Sequence, residues 1–151
     1  MRRNQTELSY RRAAVQNASA VGLVIIMYDM LIEDVREVIE ALKQGDIEKR
    51  ATALKHGFLV LGQMEGTLDM EKGGTAAVNL AQFYSVLRAN LLDAHIKSSA
   101  EKFQRQIELM LEVRQAWEQV NKPDAAAATA VEAAENPEPG AASASAGGWS
   151  A

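Results

Sequence analysis

Apolar residues recur along much of this chain at steps of three and four, the spacing that predicts amphipathic helices. The first such stripe consists of Val21, Val24, Tyr28, Leu31, Val35, Val38 and Leu42. Ser19 is suited to cap the start of this helix, because its hydroxyl can accept from the free N–H groups of the first turn. Gly45 is suited to end it, because glycine adopts the left-handed conformation without a Cβ clash. The pattern predicts a first helix from about Ser19 to Gln44.

A second apolar stripe follows Asp46, which is another favourable capping residue. It consists of Ile47, Ala51, Leu54, Phe58, Leu61 and Leu68. Glu65 falls on the same stripe, where a buried and unpaired carboxylate would be strongly destabilising. We therefore expect Glu65 at the rim of the core, or paired with a cation such as Arg88 or Arg114. The Gly73–Gly74 pair then interrupts the pattern.

Two further stripes complete the helical pattern. The third consists of Ala77, Leu80, Tyr84, Leu87, Leu91 and Ala94, and it fades near Lys97. The fourth consists of Ala100, Phe103, Ile107, Met110, Arg114 and Trp117. Between them, Ser98 and Glu101 fit a capping box, in which the serine covers a backbone N–H and the glutamate reaches back to the cap. The fourth helix is predicted to end near Asn121, before Pro123.

These four stripes predict an all-α fold. Four helices of roughly 20 to 25 residues joined by short turns pack most simply as an antiparallel up-and-down four-helix bundle. We place this bundle at residues 18–121. Residues 1–17 are polar and aperiodic, which predicts a mobile N-terminal arm that docks through a few anchors. Residues 122–151 are mainly Ala, Ser, Gly, Glu and Pro, which predicts a disordered tail.

Composition narrows the function classes. The formal charge of -4 at pH 7 opposes binding to nucleic acid or to an anionic membrane. The absence of cysteine excludes disulfides, thiolate catalysis and cysteine-type zinc sites. The longest apolar run, Val21 to Met27, falls well short of the roughly 20 residues that span a bilayer. We therefore predict a protein of the cytosol with no membrane insertion.

Catalytic chemistry finds little support in the residue types. A di-iron bundle requires Glu-x-x-His motifs, and neither His56 nor His95 has a glutamate three residues before it. Both histidines lie off the main stripes, so surface positions are expected for them. The Leu54–Gly57 segment keeps a helical phosphotransfer or signalling bundle open as an alternative, with a metal-binding bundle enzyme as a third. Our prediction is a protein that is not an enzyme and holds no cofactor or metal.

Two helices carry more apolar surface than a bundle core requires. On the first helix, the additional apolar residues are Leu23, Met27 and Met30. On the third helix, a second seam of small and apolar residues consists of Val78, Ala81, Ser85, Leu92 and Ile96. The alternative for both is a wide core stripe with scattered exposed apolar residues. For the third helix we favour partner binding, because small residues between large ones form a groove that accepts an amphipathic helix.

Several short segments, taken in their order and spacing, resemble the FliS family of flagellar secretion chaperones. The matching segments between about Leu8 and Val120 are Tyr10, Val15, Ala18-Ser19, Leu23, Met27-Tyr28-Asp29, Gly45-Asp46, Leu68–Leu80 with its Gly73-Gly74 turn, Tyr84 and Arg114-Gln-Ala-Trp117. The chain departs from the family pattern at Ala20, where a proline usually follows the serine. This removes the preset φ of the first turn but leaves the cap.

The resemblance implies a helical bundle that binds the C-terminal segment of flagellin and prevents premature polymerisation before type III secretion. It also implies further partners among flagellar regulators or export components. The resemblance further implies an N-terminal arm able to cover part of the binding surface. In this chain, the arm residues Tyr10 and Val15 would then lie over a groove that contains Leu23 and Met27.

Overall fold

The computed structural model describes residues 7–9, 12 and 19–121 of the chain. Four long helices account for most of them: α1 (Ala20–Gln44), α2 (Ile47–Gly66), α3 (Gly74–Ile96) and α4 (Ala100–Asn121). The described residues contain no strand, so the predicted all-α fold is confirmed. Those up to Trp117 belong to one compact unit, and residues 118–121 complete α4. The 122–151 segment and most of 1–17 lie outside the described residues, so the domain boundaries stay predictions.

The turn between α1 and α2 forms as the sequence predicts. The Ser19 hydroxyl accepts from the Gly22 N–H at 3.0 Å at the start of α1. Gly45 ends α1 in the left-handed conformation, with φ 70°. The next residue, Asp46, donates its N–H to the Ala41 carbonyl at 2.9 Å, while its carboxylate accepts from the Lys49 N–H at 3.0 Å. One short segment therefore provides hydrogen-bond partners for free backbone groups at both the end of α1 and the start of α2.

The connection from α2 to α3 begins earlier than the apolar stripe suggests, because α2 ends at Gly66. The Thr67 hydroxyl donates to the Met64 carbonyl at 2.7 Å and closes the last turn. The Asp69 carboxylate then accepts from the N–H groups of Glu71 and Lys72, which holds the loop before α3. The interruption predicted at the glycine pair is therefore present.

The turn between α3 and α4 corrects one prediction. Ser98 adopts φ 49°, so it serves to end α3 and cannot cap α4. The cap is Ser99, whose hydroxyl accepts from the Lys102 N–H at 3.1 Å. Because the cap moves one residue along the chain, Glu101 no longer stands in the position of a capping box. The predicted pairing of Ser98 with Glu101 is therefore wrong.

Contacts between helix ends establish the antiparallel order. The Arg50 side chain, near the start of α2, donates to the Ser98 hydroxyl beyond the end of α3 at 3.0 Å. The Arg114 side chain, late in α4, forms a two-bond ion pair with Asp29 early in α1, at 2.5 and 3.2 Å. Since short turns join α1 to α2 and α3 to α4, all neighbouring helices run antiparallel. This is the up-and-down bundle that the sequence predicts.

The core is aliphatic, with a few aromatic rings. Its fully buried larger side chains are Tyr28, Leu31, Val35, Val38, Leu61, Met64, Tyr84, Leu87, Leu91, Phe103, Ile107 and Met110. The stripes predicted for α1, α3 and α4 supply most of this set. No helix among the described residues is long and apolar enough to cross a membrane.

The stripe predicted for α2 is partly wrong. Ile47 is 71% exposed and Ala51 is exposed as well, although both were assigned to the core. The buried residues of α2 are instead Ala53, Leu54, Gly57, Val60, Leu61 and Met64. Gly57 explains the rotation, because a Cβ added there would lie only 3.2 Å from the Leu31 Cδ1 atom. The missing side chain lets α1 pack closely on the glycine side of α2.

Candidate functional site

One strip of residues along α3, on the side away from the core, is exposed and carries no charge. It consists of Val78, Gln82, Ser85, Ala89, Leu92 and Ile96, which we call the outer strip. These residues follow one another at steps of four and three, so they lie on one side of the helix. All six are exposed. The strip therefore presents about five turns of uncharged, largely apolar helix to solvent.

The outer strip is unusual for the solvent face of a helix, which normally carries charged and polar side chains. The corresponding face of α1 follows that rule, with Glu33, Arg36, Glu37 and Glu40 exposed. A helix that is apolar on all sides is usually buried on all sides. Since α3 is buried on one side only, its outer strip is a candidate for contact with a partner.

The exposed apolar surface continues onto α2. Arg88 of α3 lies 5.6 Å above the Phe58 ring and pairs with Glu65 through a 2.5 Å contact, so this side of α2 adjoins α3. The face of α2 that contains Phe58 also carries Ile47, Ala51, Lys55 and Gly62, all four of them exposed. Together with the outer strip, these residues form the α2–α3 surface. Ile47 also lines a cleft of about 360 Å³ at the end of the bundle, beside Leu42, Arg50 and Ser98.

The Arg88–Glu65 ion pair confirms the expectation for Glu65. Its carboxylate lies at the rim of the core, and its partner is Arg88, whereas Arg114 pairs with Asp29. The pair keeps a charge that falls on the apolar stripe from being buried alone.

The predicted partner-binding residues fall into two groups. On α3, Val78, Ser85, Leu92 and Ile96 belong to the outer strip, and Ala81 lies half-buried at its edge. On α1, Leu23, Met27 and Met30 are all half-buried. Met27 and Met30 pack against the core cluster, which favours the alternative of a wide core stripe for this helix. The arm residues Tyr10 and Val15 lie outside the described residues.

Sequence reasoning did not assign Gln82 and Ala89 to the site, although they continue the same steps of three and four along α3. It also missed the contribution of α2. The apolar stripe through Ile47 and Ala51 does mark this face of α2, but the pattern predicts that the face lies in the core. Periodicity identified an apolar face there without identifying which neighbour covers it.

A buried tyrosine pair lies beneath this surface. The Tyr28 hydroxyl donates to the Tyr84 hydroxyl at 3.1 Å, and the ring centroids are 6.2 Å apart. Burial raises the pKa of Tyr84 above its usual value, and the nearby Glu65 carboxylate raises it further, against the lowering effect of the Tyr28 hydrogen bond. Burial is also the main cause that raises the pKa of Tyr28. Both side chains are therefore neutral hydrogen-bonding groups over the ordinary pH range.

The two histidines differ in environment. His56 is more than half exposed, and its Nδ1 atom lies 2.6 Å from the Asp34 Oδ2 atom of α1. Burial raises the pKa of Asp34, while the hydrogen bond to His56 opposes that shift. His95 is half-buried, so its predicted surface position is wrong, because it directly follows the buried Ala94 at the edge of the packed face. Within residues 19–121, no group of three or more His, Cys, Asp or Glu side chains is arranged to hold a metal.

Comparison with known proteins identifies the family to which the chain belongs. The family model described as flagellar protein FliS matches residues 2–124. The chain is 27% identical over 110 residues to the flagellar secretion chaperone FliS of Salmonella typhimurium, covering 72% of this chain and 82% of that protein. It is 27% identical over 116 residues to the FliS of Vibrio cholerae, covering 74% and 85% of the two chains. With the FliS of Campylobacter jejuni, it shares 24% identity over 127 residues, covering 82% and 98%. Because the family model spans most of the sequence, the chain belongs to the FliS family of flagellar proteins.

Proposed function

We propose that this chain is an export chaperone of the cytoplasm that binds the disordered C-terminal segment of flagellin and holds it before type III secretion. The relatives named above are flagellar secretion chaperones, which supports the class of function. The single observation that carries the proposal is the exposed and uncharged outer strip of α3. The role is one of binding, with no chemical step.

The chemistry of such a client fits the α2–α3 surface. Flagellin ends in amphipathic segments that are disordered in the monomer and become helical as they pack in the filament. An amphipathic helix binds by laying its apolar face along a groove, with anchors at steps of three and four. The outer strip repeats at the same steps, with the large residues Val78, Leu92 and Ile96 separated by small or uncharged ones. A client held there hides the face through which it would polymerise.

The size of the surface matters because the client is ordered only on binding. Ordering a disordered segment costs several kcal/mol of the gross interaction energy. Useful affinity therefore requires an interface larger than the roughly 1,600 Å² of a standard protein complex. Continuation of the outer strip onto α2, and from Ile47 into the cleft at the end of the bundle, supplies additional area for such a contact.

The test is a matched pair of charge substitutions. Leu92 in the outer strip is 47% exposed, and Leu111 in α4 is 40% exposed, so each tolerates a glutamate in the free protein. Leu111 follows Gln106 by five residues, so it lies about 140° around α4 from the side on which Gln106 contacts Asn90 of α3. A charge at Leu92 would be desolvated by a client, and a charge at Leu111 would remain in water.

Calorimetric titration with a peptide of the cognate flagellin C-terminal segment should show at least tenfold weaker binding for Leu92→Glu. Leu111→Glu should bind within about twofold of the unchanged protein, since surface substitutions rarely change free energies by more than about 0.5 kcal/mol. Equal affinities for both variants would place the client elsewhere. Thermal melts of the two free variants should agree, which would confirm that folding is not the cause of any difference.

A further inference from the structure

A single ion pair lies at the centre of the α2–α3 surface. Arg88 follows Ser85 by three residues and precedes Leu92 by four, so its side chain shares their side of α3. Its partner Glu65 follows the exposed Gly62 by three residues on α2. The side chains of Arg88 and Glu65 are 40% and 35% exposed, respectively. The pair therefore lies in the surface that a helix along the outer strip would cover, while Lys55 stands exposed at the outer margin.

Among the described residues, some hydrogen-bonding groups of the Arg88–Glu65 pair are left without a protein partner and face solvent. Phe58 lies against one face of the guanidinium, at 5.6 Å from its ring centroid. Within the part of the chain that the structure describes, one hydrogen bond joins the two groups, from the Arg88 Nη2 atom to the Glu65 Oε1 atom. A guanidinium has five N–H donors and a carboxylate has two acceptor oxygens. Water can reach the remaining donors and acceptors in the free protein, because both side chains are partly exposed.

Covering this pair with an apolar client face would be unfavourable. The remaining N–H groups and the second carboxylate oxygen would lose water and gain no partner. A client carboxylate would pair with Arg88 but would be repelled by Glu65. A client cation would pair with Glu65 but would be repelled by Arg88. A carboxamide is neutral and carries both an acceptor and two donors, so one group can accept from Arg88 and donate to Glu65.

We propose that the Arg88–Glu65 pair selects a client helix that places one asparagine or glutamine in its otherwise apolar contact face, opposite the pair. The inference rests on the proposed function, because it assumes that a client helix lies on the outer strip. The pair then sets the register of the client, as a single polar residue does at the interface of a coiled coil. A helix shifted by one turn buries the pair against an apolar side chain and binds more weakly.

The experiment is a substitution scan of the client against two forms of the chaperone. The probe is the cognate flagellin C-terminal segment, in which each asparagine and glutamine is replaced singly by leucine. Each peptide is titrated against the full chain and against the Arg88→Leu/Glu65→Leu double variant. One substitution should weaken binding to the unchanged chain by about tenfold and leave binding to the double variant unchanged or tighter. Substitutions elsewhere in the segment should affect both forms alike.

A second experiment does not depend on whether the double variant folds normally. At the selected position, the carboxamide is changed to the matching acid. Binding to the unchanged chain should fall by about tenfold, and the isosteric Glu65→Gln variant should restore most of that loss by removing the like charge. Tighter binding of the acidic peptide to the unchanged chain would overturn the proposal, because it would show that Arg88 alone makes the selection.

The outcomes separate the inference from the function on which it rests. If the segment binds and Leu92→Glu weakens it, but no carboxamide position distinguishes the two forms of the chaperone, the register proposal is wrong and the chaperone proposal stands. If the unaltered segment does not bind to the full chain, both proposals fall together.

Discussion

The hydroxyl of Tyr28 in α1 donates a hydrogen bond to the hydroxyl of Tyr84 in α3, and both side chains are almost completely buried. Burial raises the pKa of Tyr28, and the Trp117 side chain of α4 opposes part of that rise. A buried hydrogen bond thus joins α1 to α3 inside the core.

Removing either tyrosine hydroxyl should show how strongly their hydrogen bond couples α1 to α3. We expect Tyr28→Phe to lower the free energy of unfolding by about 1–3 kcal/mol, because it leaves the buried Tyr84 hydroxyl without its partner. Tyr84→Phe should cost a similar amount, because it leaves the buried Tyr28 hydroxyl without an acceptor. The double variant should lose less than the sum of the two, since the hydroxyls share one bond. Urea melts of the unchanged protein, the two single variants and the double variant measure these losses. Strictly additive losses would contradict the coupling.

Alkaline pH should destabilise the bundle through the same pair. Burial raises the pKa of both tyrosines above the value of about 10 found in unfolded chains. The folded state therefore holds these protons where the unfolded state releases them, so stability is fully present below about pH 10 and falls as pH rises beyond it. Urea melts between about pH 8 and 11 should show this decline. It should be shallower in the Tyr28→Phe/Tyr84→Phe variant, and an equal slope would assign the effect to other groups.

The core leucines should be far less tolerant than exposed ones. Leu31→Ala and Leu87→Ala should each destabilise the protein by about 2–5 kcal/mol, through lost transfer energy and the remaining cavity. Both side chains are fully buried. The control is Leu59→Ala on α2, where the leucine is mostly exposed and the loss should stay below about 0.5 kcal/mol. Chemical denaturation of the three variants provides the comparison.

Local sequence signals predict most of the fold. The α1 stripe through Leu31 and the α3 stripe through Leu87 give the correct buried faces, because each helix packs its strongest apolar stripe inward. The caps at Ser19 and Gly45 are also correct, since they depend only on a few adjacent residues. The α2 face depends on Gly57 and the closeness of α1, and a contact between distant segments leaves no periodic signal.

The site shows the same division. The predicted residues Val78, Ser85, Leu92 and Ile96 belong to the exposed outer strip of α3, because a second apolar seam opposite the first is visible in the sequence. Electrostatic grounds predict Glu65 at the rim or beside a cation such as Arg88 or Arg114, and the structure pairs it with Arg88. That the pair lies at the centre of a candidate client surface could not be predicted, because the sequence does not show which side of α2 adjoins α3.

The serines between α3 and α4 should respond in opposite directions. Ser99→Ala should lower stability by about 1 kcal/mol, because it removes the cap of α4. Ser98→Gly should be neutral or stabilising by up to about 1 kcal/mol, because a glycine adopts the positive φ of this residue without strain. Thermal unfolding of the two variants is sufficient. A loss at Ser98 as large as that at Ser99 would show that the hydrogen bond from Arg50 to the Ser98 hydroxyl outweighs the relief of strain.

Two glycines inside α2 offer a second matched pair. Gly62 is exposed, and a Cβ added there meets nothing within 4 Å, so Gly62→Ala should stabilise the protein by about 1 kcal/mol through better helix propensity. At Gly57 the added Cβ lies 3.2 Å from Leu31 and 3.5 Å from Asp34. Gly57→Ala should therefore stabilise the protein less than Gly62→Ala, or not at all, because α1 must shift to make room for the methyl group. Denaturation curves of the two variants compare their free energies of unfolding.

The uncharged outer strip also has a consequence for how copies of the free protein meet. The whole chain carries a formal charge of -4, while the six residues of the strip carry none. At low ionic strength, two copies repel each other over tens of ångströms, so their strips seldom touch. At 1 M salt the screening length falls to about 3 Å, and this protection is lost. Solutions of the unliganded chaperone should accordingly become more self-associating as salt is raised, while the client-loaded form, with its strip covered, should remain monodisperse.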